Sequence, residues 1–242
     1  MMDAASLYLD LMEKTLTGIY RVTDPEAYQK RLEGHDWPQD ADTMIGLRRL
    51  RNIRDCLNAV LETGTPGDLI EAGVWKGGAT ILMKAMLAAY GDEERLVYVA
   101  DSFEGLPPPD PNYPADAGDQ HYTMPDLAIS LEDVQYNFAK YDLLDDQVRF
   151  VKGWFKDTLH EIEAEQFALI RLDGDMYEST IQGFEALYPK LSPGGFLIVD
   201  DYEAVAGCQQ AVHDYRDAHG ITEEIHRIGD EEASGTVYWR KT

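Results

Sequence analysis

The chain has 242 residues, 44% of them apolar, which is enough for one large domain with a full core and argues against disorder. Asp and Glu number 45 against 21 Lys and Arg, and the resulting net charge of −24 repels phosphate backbones, so nucleic acid is not an expected partner. No run reaches 18 apolar residues, and the amphipathic opening lacks a basic start and a small-residue cleavage site, so neither a membrane span nor a secretory leader is expected.

Residues 1–66 read as a helical extension. SLYLDLMEKTL and MIGLRRLRNIRDCLNAVLETG carry apolar residues at helical spacing, and the second stops at Gly64 and Pro66. Cys56 and Cys208 lie in helix-like stretches and are too few for a disulfide framework, so a reduced, cytoplasmic setting is expected. From Asp68 the pattern changes. Strand-length apolar runs at 68–74, 95–103, 147–153, 167–173 and 194–201 alternate with helical stretches at 78–90, 130–141, 155–164, 177–191 and 204–219. Two further strands are expected near 222–228 and 235–240. Such alternation predicts an α/β fold, a doubly wound, mostly parallel Rossmann-like sheet over 67–242 with helices on both faces. Ligands of such sheets bind beyond the carboxyl ends of the strands. Residues 104–129 break the alternation. They hold six of the eleven prolines and read as a lid over the site.

The first strand ends in IEAGVWKGGAT. Glu71, Gly73 and Gly77 form an acidic strand end and a glycine turn before a helix, and Asp101 ends the second strand where a carboxylate can accept from ribose hydroxyls. Trp75 occupies the middle position of the dinucleotide glycine pattern and crowds a pyrophosphate, while Glu71 repels one. Both suit a cationic sulfonium donor better than NAD. Asp173 ends the fourth strand, and Asp200 and Asp201 end the fifth. Three carboxylates converging there suit Mg²⁺ or another hard divalent ion, which would offset their mutual repulsion and leave the trio at −1, favouring a neutral substrate. Asp175 lies two residues beyond Asp173, free to face substrate or to cap the following helix. His121 in the lid is a second candidate base. Tyr177 and Tyr202 read as packing beneath the site, and the remaining histidines show no convincing metal-ligand spacing.

With these stretches in hand, the chain resembles the macrocin O-methyltransferase (TylF-like) family. The blocks carrying the resemblance are HDWPQDADTMIGLRRLRNI, GDLIEAGVWKGGATILMKAML, VYVADSFEGLP, YDLLDDQVRFVKGWFKDTL, RLDGDMYEST and LYPKLSPGGFLIVDDY. The resemblance implies methyl transfer from S-adenosylmethionine to a sugar hydroxyl of a glycosylated natural product by a homodimer or higher homo-oligomer. It implies Mg²⁺ on Asp173, Asp200 and Asp201, with Asp175 as general base. Glu71, Gly73 and the turn with Trp75 and Gly77 would line the methionine portion of the cofactor. Asp101, with Ser102 and Phe103, would hold the ribose. Trp154 and Phe155 would flank the adenine, and Thr43 and Met44 would close over the cofactor, with Asp173 beside it. The chain departs from macrolide-type members before DWP, where it is shorter, and in the proline-rich loop. A metal-dependent catechol or phenol O-methyltransferase is the alternative.

Overall fold

The structure, a computed structural model, describes residues 3–229 and 235–242. Seven strands form one sheet: β1 (Asp68–Ala72), β2 (Val97–Asp101), β3 (Val148–Lys152), β4 (Phe167–Leu172), β5 (Leu191–Val199), β6 (His226–Arg227) and β7 (Val237–Arg240). Their order is β3-β2-β1-β4-β5-β7-β6, with β1 to β5 parallel and β7 inserted antiparallel between β5 and β6. The order reverses between β1 and β4, where the doubly wound fold opens its crevice.

Alternate residues of the buried strands feed two cores. Leu69, Val97, Leu169 and Ile198 face α1 (Ala4–Thr17), α3 (Gly46–Thr63), α4 (Gly78–Tyr90) and α5 (Leu131–Ala139). Ile70, Ala100, Ile170 and Leu197 face α7 (Tyr177–Leu187) and α8 (Ala206–His219) on the other side. The helices α2 (Pro25–Glu33) and α6 (Phe155–Thr158) complete the set. Leu9, Leu16, Leu50 and Ile53 of the N-terminal helices are fully buried in the same core as Ile81 and Leu82 of α4. Residues 1–66 are therefore built onto the sheet face rather than hung beside it.

Several elements differ from the expected bounds. The helix expected over 155–164 is a single turn, α6, followed by a 3₁₀ turn at Leu159–Glu161. The helix α7 stops at Leu187, because Pro189 has no N–H to continue it, and β5 starts at Leu191, pairing there with Phe167. The strand near 222–228 shrinks to His226–Arg227. Residues 104–129 form a loop with 3₁₀ turns at Pro114–Asp116, His121–Thr123 and Pro125–Leu127. Cys56 and Cys208 are buried and free. Among the described residues no helix is long and apolar enough to cross a membrane.

Candidate active site

The carboxyl ends of β1, β2, β4 and β5 open into a cavity of about 950 Å³, at the upper end of the range for small-molecule sites. Glu71 and Arg171 are register partners on β1 and β4 and form a fully buried ion pair at 2.5 Å. Arg171 also donates to Asp173 Oδ2 at 2.6 Å and to Asp200. Asp200 takes a further guanidinium from Arg49 on α3, and the Thr236 hydroxyl donates to its carbonyl at 2.8 Å. One carboxylate oxygen from each of Asp173, Asp200 and Asp201 lies within 4.8 Å of the others.

These contacts treat the acids unequally. Burial alone would raise Asp200, but Arg171 and Arg49 outweigh it and hold the carboxyl below its usual range. Burial raises Asp201 well above that range, and Asp175 and Asp173 push it further. Burial also raises Asp173 against the pull of Arg171. Asp175 is pushed up to about 7 by burial and then by Asp173, with His121 acting in the opposite sense.

The expectation that a metal alone compensates the acids is corrected here. Two guanidiniums already sit among them, and the trio carries −1 with a divalent ion only if these are ignored. Fully ionised, the five carboxylates (Glu71, Asp173, Asp175, Asp200, Asp201) would exceed Arg49 and Arg171 by three negative charges, and burial shifts Glu71, to about 8, upward along with Asp173, Asp175 and Asp201. A divalent ion and a singly positive sulfonium donor would together supply three positive ones. The donor set, hard oxygens in a buried acidic cluster, fits Mg²⁺. Glu71 Oε2 is buried without a hydrogen-bond partner, the kind of orphan that a cationic ligand group satisfies.

Asp175 has a left-handed backbone, φ +56°, at the centre of a three-residue turn closed by Met176 N–H donating to Gly174 O at 2.5 Å. Such turns are rare and strained, costing on the order of 1–3 kcal/mol. Its own N–H donates to Asp201 Oδ2 at 3.1 Å. Asp175 does not cap α7. The N-cap position is Met176, and the carboxylate of Asp116 from the lid accepts the N–H groups of Tyr177 and Glu178 instead, at 2.7 and 2.9 Å.

Thr43, Met44, Glu71, Gly73 and Trp75 all line the cavity. So do Asp101, Ser102, Trp154 and Phe155, together with the four aspartates from Asp173 to Asp201. Two expected cofactor residues lie off its wall. Phe103 is buried against Phe150, and Gly77 starts α4 pressed against Val134. Gly73 has φ +89°, and a Cβ there would fall 1.7 Å from the Asp173 carbonyl oxygen. The carboxylate of Asp101 accepts from Val74 N–H at 2.8 Å and Phe103 N–H at 2.7 Å, so it braces both turns around it. His121 lines the cavity with Nδ1 held 2.6 Å from Asp119 Oδ2. Tyr177 packs beside Tyr113, and Tyr202 bonds His213 at 2.8 Å. The lid is pinned over the glycine turn by Trp75 Nε1 donating to Asp126 O at 2.8 Å.

The model of the macrocin-O-methyltransferase (TylF) family matches residues 5–241. The chain belongs to that family. It is 50% identical over 255 residues to the 8-demethyl-8-(2,3-dimethoxy-α-L-rhamnosyl)-tetracenomycin-C 4′-O-methyltransferase of Streptomyces olivaceus, covering 99% of this chain and 94% of the relative. It is 45% identical over 250 residues to the mycinamicin III 3″-O-methyltransferase of Micromonospora griseorubida, covering 98% and 96%. The solved structure of the O-methyltransferase NovP superposes with a TM-score of 0.93 at 46% identity, covering 98% of this chain and 99% of that one. This TylF-family member is thus an S-adenosylmethionine-dependent O-methyltransferase.

Sequence reasoning missed Arg49, Arg171 and Asp116. Arg171 had a readable signal, a cation in the otherwise apolar run FALIRLD and two residues before Asp173, hence on the same strand face. Arg49 sits among several arginines of α3, and nothing local marks it as the one that reaches Asp200.

Proposed function

We propose that the chain transfers a methyl group from S-adenosylmethionine to a sugar hydroxyl of a glycosylated natural product, with Mg²⁺ held by Asp173, Asp200 and Asp201 and Asp175 as general base. The observation that carries the reading is the meeting of those three aspartates within 4.8 Å, beside an Asp175 that lines the same cavity and is pushed upward by burial. Burial makes Asp175 a stronger base than an ordinary carboxylate near 4, which is too weak to take a hydroxyl proton unaided. The ion, when bound, would make the acceptor hydroxyl more acidic. Asp175 takes the proton as the methyl group passes from sulfur to oxygen. Arg171 and Arg49 keep Asp200 ionised, and Arg171 holds Asp173 in place. Glu71 Oε2 and the Gly73 turn receive the donor's methionine end, Asp101 its ribose, and Trp154 and Phe155 its adenine. Thr43 and Met44 close over it, so residues 1–66 work as a cap on the same site as 67–242.

The relatives' acceptors support a sugar as the target. Labelled S-adenosylmethionine should methylate the rhamnosylated tetracenomycin or mycinamicin III, fail after chelation and recover with Mg²⁺. Methylation of a catechol and of neither glycoside, or full turnover in metal-free protein, overturns the reading. Exposed Leu7 and Leu11 with Tyr8 on α1 support burial against a second copy. A monomer mass in sedimentation at micromolar concentration overturns that part.

A further inference from the structure

We propose that Asp116, in the proline-rich lid, is a positioning residue that holds the Asp173–Asp175 turn in its working geometry and couples the lid to it. The proposal rests on the reading of Asp175 as base. A strained turn persists only where its surroundings over-determine it. On its N-terminal side the Asp175 turn is held by β4, where Asp173 N–H donates to Ala72 O at 2.9 Å. On its C-terminal side it runs directly into α7, whose N-cap, Met176, makes no side-chain hydrogen bond to the helix. Asp116 fills that role from 61 and 62 residues away. It is 3% exposed, and its two oxygens take separate N–H groups, those of Tyr177 and Glu178. Tyr113 of the same loop packs on the Tyr177 ring. Space for the carboxylate exists because α8 places Gly207 there. A Cβ on Gly207 would lie 2.9 Å from Asp116 Oδ1 and 3.1 Å from Tyr177 N. Lid, base turn, α7 and α8 therefore meet at one carboxylate, and a shift of the lid is passed to Asp175 through two hydrogen bonds.

The test uses two variants that disturb the contact differently. Asp116→Asn keeps the shape but sets an amide N–H₂ against one backbone N–H. Gly207→Ala keeps the Asp116 carboxylate but displaces it, because the new Cβ would lie 2.9 Å from Oδ1. The expected result in both is a fall in kcat on the order of 10–10²-fold, with KM for S-adenosylmethionine and calorimetric affinity for S-adenosylhomocysteine unchanged. Turnover is read on the rhamnosylated tetracenomycin and on mycinamicin III. Hydrogen exchange over residues 174–178 should quicken in both, whether or not either acceptor is turned over. Turnover is referred to the folded fraction read from each variant's melting curve, so a slower rate in either is not lost fold. Unchanged exchange over 174–178, wild-type kcat in both variants, or a kcat loss that only tracks unfolded protein overturns the proposal. Asp175→Asn, run alongside, separates the two readings. If it abolishes turnover while the other variants keep theirs, the base stands and the positioning role falls. If it keeps full turnover, the base reading fails and takes this one with it.

Discussion

Asp101 and Asp201 end neighbouring parts of the same cavity, and burial pushes both upward. What surrounds them differs. Asp101 accepts two backbone N–H bonds below 2.9 Å, which oppose the push. Asp201 receives one, from Asp175 at 3.1 Å, and otherwise faces Asp175, Asp173 and Asp200. Both read as a carboxylate at a strand end. A carboxylate already filled by backbone donors shapes the site, whereas one left among like charges is suited to receive a cation.

The sharpest way to break this contrast is at the acid paired with Asp201. Asp175→Asn should slow the chemical step by about 10²–10⁴-fold, the usual contribution of a positioned base, with Mg²⁺ and S-adenosylhomocysteine affinity near wild type. Asp173→Asn should lose turnover through weak Mg²⁺ binding and recover as Mg²⁺ is raised. Rescue of Asp175→Asn by Mg²⁺ in a titration of turnover would mean that the two roles are reversed.

Next comes the filled carboxylate. Asp101→Ala frees the N–H groups of Val74 and Phe103 and should cost about 1–3 kcal/mol of folding stability, together with weaker S-adenosylhomocysteine binding. Loss of affinity with an unchanged urea midpoint would make Asp101 a ligand contact and no brace. The opposite sign is expected at the unfilled one. Asp201→Asn should stabilise metal-free protein near neutral pH, because the amide removes a charge that the fold disfavours. A destabilised Asp201→Asn would place its partner within the protein.

The contrast also shows with pH. Asp173, Asp175 and Asp201 have folded pKa values above their ordinary ones, with Asp175 near 7. Folded protein therefore keeps protons that unfolded chain has released. That stabilising contribution is complete below about pH 4 and is lost as pH rises through 7. Asp200, held low, contributes in the opposite direction. Urea midpoints of metal-free protein should fall from pH 5 to pH 8, and Mg²⁺ should flatten the curve. A midpoint that rises over that window without metal would show that the guanidiniums, not an ion, dominate the cluster.

The ends of β2, β4 and β5 were legible because their signals are local: short apolar runs, each stopped by an aspartate. Asp173, Asp200 and Asp201 meet because β4 and β5 pair, which the alternation of elements already implied. The compensation was not legible. Arg49 lies 151 residues from Asp200, and a helix rich in arginines does not say which one turns inward. Phe103 and Gly77 followed the motif but pack against Phe150 and Val134 instead of lining the cavity. Asp116 was hidden for a different reason. Its work is tertiary capping, and the lid has no periodicity from which to read it.

The close approach of Gly73 to the Asp173 carbonyl bears on how this scaffold can be re-engineered. Any side chain at 73 collides with backbone at 1.7 Å, so saturation libraries at that position should return only the parent residue. The donor end of the cavity is in that sense closed to variation. The stretch Leu106–Pro109 lines the same cavity from the lid. Diversity aimed at new acceptors is better spent there than at Gly73.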